Sequence, residues 1–523
     1  MSYNTLEFIA FLTLFLIIYW LMPGVKLRQA VILVGNLVFY WFAGWECLVL
    51  VVITTAIVYA VSRLIEKTYA GFDREKESLS PRERTGLFAK FKKRSLKFIL
   101  AGVVLVLGIL IYVKTGRLLG WEEADSLSML LQPKTILVPL GISYYTFSSV
   151  GYLLDLYWNK IKCERNFLKL FLCVTYFPII VQGPITRYDK LIAQFDRLPG
   201  FEYQRVCHGI QLMLWGYFKK VVIADRLSLY TATIFGDVGS FAGAEIILAV
   251  FFDVMSLYAD FSGCMDIVRG AAQAMGVTLE LNFKQPFFSK SAAEFWRRWH
   301  ITLGAWFKDY VYMPIAMNPH FMKWTMKVRQ RCGARTGQIA STAIPLLIVW
   351  ILTGLWHGTG KDYVAWGFYW GILIILGAVL APEFKKMTQF LKIDTDSFGW
   401  KLFQMARTFC LFCGGRMLTE TGSLHGCLLM IKQMFTSANL WVLTDDSIYN
   451  YGMDRKDFCV VIVGIFMMWC VDMLQQKIKI RESLSAQPVV FRWLIYIGAI
   501  VLLFVFGMYG SEFDAGSFVY GAF

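Results

Sequence analysis

The chain has 523 residues, of which 57% are hydrophobic and only 17% charged, and its mean hydropathy is +0.53. A water-soluble protein of this length has no means of hiding so much apolar surface, which excludes a set of soluble domains. The formal net charge of +15 is gathered in short stretches between apolar runs, the basic loops of a multi-pass membrane protein, and it argues against nucleic acid as the partner.

Several apolar runs approach the roughly 20 residues needed to cross a hydrocarbon core of about 30 Å. The first, Leu6 to Leu21, has no basic residues before it and no small-residue cleavage site, and it reads as a transmembrane helix in place of a signal peptide. Spans are expected near residues 6–23, 29–44 and 46–62. A basic loop over 63–97 follows, with RLIEK, DREKE, RER and KFKKRSLK, and its charge puts it on the cytoplasmic side. Counting back through three crossings places the N-terminus outside and the turn at Lys26 and Arg28 inside.

A fourth span, about 98–114, leads outward to an acidic stretch from Trp121 to Asp125. The fifth, about 135–158, returns to a basic turn at Lys160, Lys162 and Arg165. The next apolar run is short and broken by Pro178, Gly183 and Pro184, as in a re-entrant segment whose irregular backbone must be buried in protein or line a cavity. Runs at about 205–224 and 243–275 come next. The second carries Asp260, Ser262, Asp266 and Arg269 at depth. Asp266 and Arg269, three apart, share a helical face, either as a structural ion pair or as the polar wall of an internal tunnel.

Residues 291–357 form the block around which the chemistry gathers. Two of the chain's five histidines, His300 and His357, stand at its two ends. Ser291 with Glu294 is a capping box, and the spacing predicts one amphipathic helix from Ser291 to Trp306. In it Glu294 pairs with Arg298, and Trp296 and His300 share a face. WRRWH is also what a membrane-surface helix with a solvated histidine would contain. His357 ends an apolar run from Ile339, flanked by Gly354 and Gly358, with Thr353, Trp356 and Lys361 nearby. A histidine titrates near neutral pH and removes a hydroxyl proton as that oxygen attacks a thioester. The other histidines, His208, His320 and His425, stand singly and read as structural.

Further spans are expected near 363–381, 403–419, 457–475 and 491–509. If the basic stretch Lys477 to Arg481 is cytoplasmic, the last span exits outward and the tail GSEFDAGSFVYGAF lies outside. The expected fold is all-α and polytopic, with roughly eleven transmembrane helices plus re-entrant and interfacial pieces, in one integral-membrane domain over 1–523. Eleven cysteines sit mostly inside apolar runs, and the Cys410/Cys413 pair has neither a second pair nor a nearby histidine. No metal site is expected, and no P-loop, GxGxxG, HExxH or GxSxG motif is present.

Five stretches are familiar together: VPLGISYYTFSSVGYLLDLY (138–157), FPIIVQGPITRY (177–188), YADFSG (258–263), NFKQPFFSKSAAEFWRRWHITLGAWFKDYVYMPI (282–315) and LTGLWHG (352–358). In this order they resemble the membrane-bound O-acyltransferase family, most closely its bacterial alginate O-acetylation branch, near the teichoic acid D-alanyl transfer proteins. The resemblance covers about residues 1–380, followed by C-terminal helices over 381–510 and a tail over 511–523. It implies a funnel of helices with a thin centre, and an acyl group carried from a cytoplasmic thioester, acetyl-CoA or an acylated carrier protein, towards a cell-envelope polysaccharide. It implies no bound cofactor, a bacterial plasma-membrane location and an extracytoplasmic SGNH-type acyltransferase as partner. His357 carries over as the catalytic histidine and His300 as the second site residue, with Asp260, Arg298 and Trp356 as candidate supports.

SFVYGAF at the end of the chain resembles the FxYxxF-like terminus of the small companion peptide in D-alanylation systems, which makes Tyr520 a candidate acyl relay. An aromatic anchor at the membrane interface is the other reading of the same residues. D-alanyl transfer from a carrier protein to teichoic acid is the alternative within the enzyme class. A transporter or export channel is the alternative outside it.

Overall fold

A computed structural model describes residues 2–78, 80–123, 135–136, 139–358 and 360–509. The tail with Tyr520 lies outside the described residues. The chain divides into two compact units, residues 1–209 with 271–280, and residues 210–270 with 281–523.

The first unit holds α1 (Leu6–Leu21), α2 (Gly24–Trp41), α3 (Trp45–Glu75), α4 (Pro81–Leu118), α5 (Ile142–Tyr157), α6 (Phe167–Val174), α7 (Phe177–Ile180), α8 (Tyr188–Phe195) and the start of α9 (Tyr203–Tyr217). The 63–97 stretch, expected as a loop, is mostly helix: α3 runs on to Glu75, and Ser80 with Glu83 caps α4. Lys, Arg, Glu and Leu are good helix formers, so the periodicity continues after the apolar residues stop. At 1.5 Å per residue α3 is about 46 Å long and α4 about 57 Å, well beyond a hydrocarbon core of about 30 Å. A two-residue parallel pairing of Glu122–Glu123 with Thr135–Ile136 departs from the all-helical pattern.

The broken run after Arg165 folds as two short helices, α6 and α7, buried continuously from Leu170 to Val174 and from Phe177 to Ile180. Its interrupted backbone is satisfied by side chains from elsewhere in the unit. The Phe177 N–H donates to Asn36 Oδ1 (3.0 Å), Asn36 Nδ2 donates to Thr175 Oγ1 (3.1 Å), and the Tyr3 hydroxyl donates to the Phe177 carbonyl (2.5 Å). Phe8, Phe15, Phe39 and Phe177 pack around this clamp at ring-centroid separations of 5.4–6.5 Å.

In the second unit α9 passes through a π-helical turn, Phe218–Ala224, into α10 (Asp225–Gly236). The long α11 (Ala244–Ala274) follows, with only its last turn in the first unit. Gly216 of α9 and Gly263 of α11 allow the two backbones to touch: a Cβ on Gly216 would lie 2.5 Å from the Gly263 carbonyl oxygen. Then come α12 (Ala292–Arg298), α13 (Ile301–Phe307), α14 (Met313–Ala316), α15 (Pro319–Cys332), α16 (Ala334–His357), α17 (Lys361–Val379) and α18 (Ala381–Phe390). The chain closes with α19 (Phe398–Glu420), α20 (Leu424–Thr436), α21 (Arg455–Gln475), α22 (Ile480–Ser485) and α23 (Val489–Phe506).

Among the described residues seven helices, α3, α4, α11, α16, α17, α21 and α23, are long and apolar enough to cross a membrane, with α1 a shorter apolar one. That is fewer than the roughly eleven read from sequence. The expected fifth span is helical only over the 16 residues of α5, and α19 carries Lys401, Arg407, Arg416 and Glu420 along its length. Of the seven, α11 is the most buried, at 83% of its apolar window, against 6% for α23. A helix surrounded by protein can hold the polar residues that lipid would reject.

Candidate active site

The expected single helix over Ser291–Trp306 is two helices. Ser291 Oγ does accept from the Glu294 N–H (3.2 Å), and Arg298 Nη2 does donate to Glu294 Oε1 (2.6 Å). The helix ends at Arg298 because the next residues pair with an extended segment. Trp299 bridges Phe283 in antiparallel fashion, the Lys284 N–H donates to the Arg298 carbonyl (2.9 Å), and the Ile301 N–H donates to the Asn282 carbonyl (3.0 Å). His300 turns the corner in the left-handed region, at φ 48° and ψ 49°, and α13 starts after it. Trp296 and His300 therefore do not share a helical face. His300 is 2% exposed, so it is not the solvated residue of a surface helix.

His357 ends α16, where the Gly358 N–H closes the last turn on the Gly354 carbonyl (3.0 Å). Gly354 lets α17 approach: a Cβ there would lie 2.2 Å from the Tyr363 carbonyl oxygen. His357 is 5% exposed, and its ring centroid is 6.2 Å from that of His300. Trp356 lies against both, 4.8 Å from His357 and 5.8 Å from His300. Trp366 packs 5.2 Å from His357, and Phe261 of α11 meets His300 edge-on at 4.8 Å. Behind them Trp296, Trp350 and Trp370 form an aromatic wall with ring separations of 4.8–6.3 Å. Two imidazoles 57 positions apart in sequence thus lie side by side among aromatic rings, where a developing charge is poorly screened.

Asn282 is the polar residue set against His300, and the sequence reading gave it no role. Its Oδ1 lies 3.3 Å from His300 Nδ1, 3.0 Å from the Thr302 N–H and 2.9 Å from Thr302 Oγ1. Its Nδ2 donates to Met265 Sδ at 3.3 Å. Burial pushes the His300 imidazole down from 6.5 to about 3. At neutral pH it is uncharged.

Asp260 is 1% exposed and one residue from Phe261, but its carboxylate is bonded to Lys220 Nζ at 2.6 Å. Lys220 also reaches Asp225 (2.9 Å), while Lys219 reaches Ser262 Oγ (2.8 Å) and Asp266 (2.7 Å). Asp266 also meets Arg269 at 3.3 Å, the pair read from sequence. Both lysines come from the π-helical turn, a feature with no periodic signature in sequence. Arg298 is engaged by Glu294 and by the Gln285 carbonyl (3.4 Å), which ties α12 to the 282–285 segment. Among the described residues no group of three His, Cys, Asp or Glu side chains is placed to hold a metal, and all eleven cysteines are free thiols.

Residues 164–326 match the membrane-bound O-acyltransferase family, a stretch that includes His300 and Asn282 and ends before His357. The chain is 28% identical over 439 residues to a probable alginate O-acetylase of Pseudomonas syringae pv. tomato, covering 83% of this chain and 75% of the relative. It is 28% identical over 265 residues to a peptidoglycan O-acetyltransferase of Helicobacter pylori, covering 46% and 47% of the two chains. A teichoic acid D-alanyltransferase of Bacillus subtilis is 28% identical over 244 residues, covering 46% and 59%.

Proposed function

From a multi-pass membrane acyltransferase that carries a membrane-bound O-acyltransferase domain over residues 164–326, we propose a polysaccharide O-acetyltransferase that takes its acetyl group from a thioester on the cytoplasmic side. The observation that carries this is the buried pair His300 and His357, with ring centroids 6.2 Å apart among aromatic side chains. His357 is the general base. The acceptor oxygen bonds to the thioester carbonyl carbon as its proton passes to the imidazole. The C–S bond then breaks, and the thiolate takes up that proton. The alginate O-acetylase of Pseudomonas syringae pv. tomato aligns over 83% of the chain and the D-alanyltransferase over 46%, which supports acetyl over D-alanyl as the cargo. The export-channel alternative draws no support from relatives that are named for group transfer.

The test is thiol release from acetyl-CoA by the purified protein. Wild type is expected to release thiol, and His357→Ala to lose at least about 100-fold in rate while melting in detergent near the wild-type temperature. A folded His357→Ala protein with wild-type release would remove the base from this assignment. In this reading the acceptor oxygen of that step is the Tyr520 phenol, and the phenyl ester so formed gives its acetyl group to an extracytoplasmic SGNH-type partner, which acetylates the polysaccharide and leaves the phenol free again. The support is the SFVYGAF pattern of the tail. Tyr520→Phe is expected to abolish acetylation of the polysaccharide in cells; unchanged acetylation rules the relay out.

A further inference from the structure

We infer that Asn282 is a positioning residue that fixes the proton of His300 on Nδ1, so that His300 presents a lone pair at Nε2 and acts as a hydrogen-bond acceptor. The inference rests on the reading of the two histidines as the transfer site and divides the work between them.

The argument starts from an obligate donor. The backbone N–H of Thr302 points at the Asn282 side chain at 3.0 Å, and a backbone N–H can only donate. The atom that it meets is therefore the amide oxygen, which settles the orientation of the Asn282 amide without reference to the histidine. Thr302 Oγ1 donates to the same oxygen at 2.9 Å. The Asn282 amide nitrogen faces the other way, towards Met265 Sδ. His300 Nδ1 then lies 3.3 Å from an atom that carries only lone pairs. A bare nitrogen there would set lone pair against lone pair in a buried site. A protonated one makes a hydrogen bond.

Neutral imidazole has one proton, so with Nδ1–H engaged Nε2 is an acceptor. Burial disfavours the second proton that would make both nitrogens donors. His300 is thus unsuited to donate to a developing oxyanion. It suits a second proton-bearing group of the acetyl acceptor, a hydroxyl or amide N–H beside the attacking oxygen. Accepting from that group orients the acceptor while His357, with its ring 6.2 Å away, removes the single proton of the attacking oxygen.

The test uses the full-length protein in detergent, with ¹⁵N-labelled histidine and with acetyl-CoA as the probe. Only five histidines are present, and the His300 signals are assigned by their loss in His300→Gln. Wild type is expected to show a protonated Nδ1 and an unprotonated Nε2 at His300. In Asn282→Leu that preference is lost, and kcat for thiol release falls about 10- to 100-fold while KM for acetyl-CoA moves less than about 3-fold. Asn282→Asp keeps an acceptor in place and is expected to recover most of kcat. A protonated Nε2 in wild type overturns the inference, and this holds even where Asn282→Leu fails to fold. A folded Asn282→Leu protein with wild-type kcat overturns it too, as do equal losses in Asp and Leu variants with an unchanged tautomer. If His300→Gln is itself fully active, the transfer site has been misplaced. If His300→Gln is inactive and Asn282→Leu active, only the tautomer argument fails.

Discussion

At His300 two unfavourable conditions coincide. Its backbone is left-handed, which costs a non-glycine residue on the order of 1–2 kcal/mol, and its imidazole is cut off from water. The pairing of 282–284 with 298–301 and the Asn282 contact hold it in place. Such strain is retained where geometry matters more than stability. One consequence is measurable. His300 lies outside the seven long apolar helices, and burial holds it at about 3 against 6.5 in the unfolded chain. Because the folded value is the lower one, the unfolded chain takes the proton first. Stability is therefore complete above about pH 6.5 and is lost as the pH falls from there towards 3. The melting temperature in detergent is expected to drop between pH 7 and pH 5, and to drop less in His300→Gln. Identical slopes would mean that this imidazole is hydrated in the folded protein. Sequence singled out the two histidines because a histidine is scarce in such a chain. It passed over Asn282, whose partner lies 18 positions on and is reached through a β-bridge that no periodicity announces.

Elements differ from their sequence patterns where tertiary contacts compete with local ones. Residues 291–306 have the spacing of one amphipathic helix, yet Trp299 is taken out of it by Phe283 and by a stack of aromatic rings. Conversely, residues 63–97 look like a loop by charge and are largely helix, since their local propensity meets no competitor. The π-helical turn between α9 and α10 is a third departure, and it carries energetic weight. It sends two successive lysines, each 4% exposed, into carboxylates on the neighbouring helices. A buried ion pair contributes little over a well-packed apolar pair, but removing one partner leaves the other charge uncompensated. Lys220→Met removes the ammonium that both Asp260 and Asp225 share, and the expected loss is about 3–5 kcal/mol, read as a large fall in detergent melting temperature. Adding Asp260→Asn to Lys220→Met should recover part of it. If Lys220→Met melts like wild type, the two carboxylates take up protons without cost and the network has no structural role.

For the whole chain, charge and helix length together predict which side of the membrane the basic stretch occupies. Between residues 63 and 97 there are eleven Lys and Arg against five Asp and Glu, which is six of the fifteen net positive charges. The apolar parts of α3 and α4 are long enough to cross the bilayer, and these charges lie on the continuations of the same two helices. Basic residues next to spans stay on the cytoplasmic side, and a helix pair that stands clear of the hydrocarbon is accessible to a protease there. Arg82 and Arg84 are exposed, so trypsin is expected to cut this hairpin in inside-out vesicles and to leave it intact in right-side-out spheroplasts. The orientation bears on the proposed chemistry, because the proposal supplies the thioester from the cytoplasmic side. Cleavage in intact spheroplasts alone would invert the topology and place the hairpin with the acceptor polysaccharide. The same vesicles serve as a control on the donor: acetyl-CoA added outside should support thiol release only where trypsin also cuts.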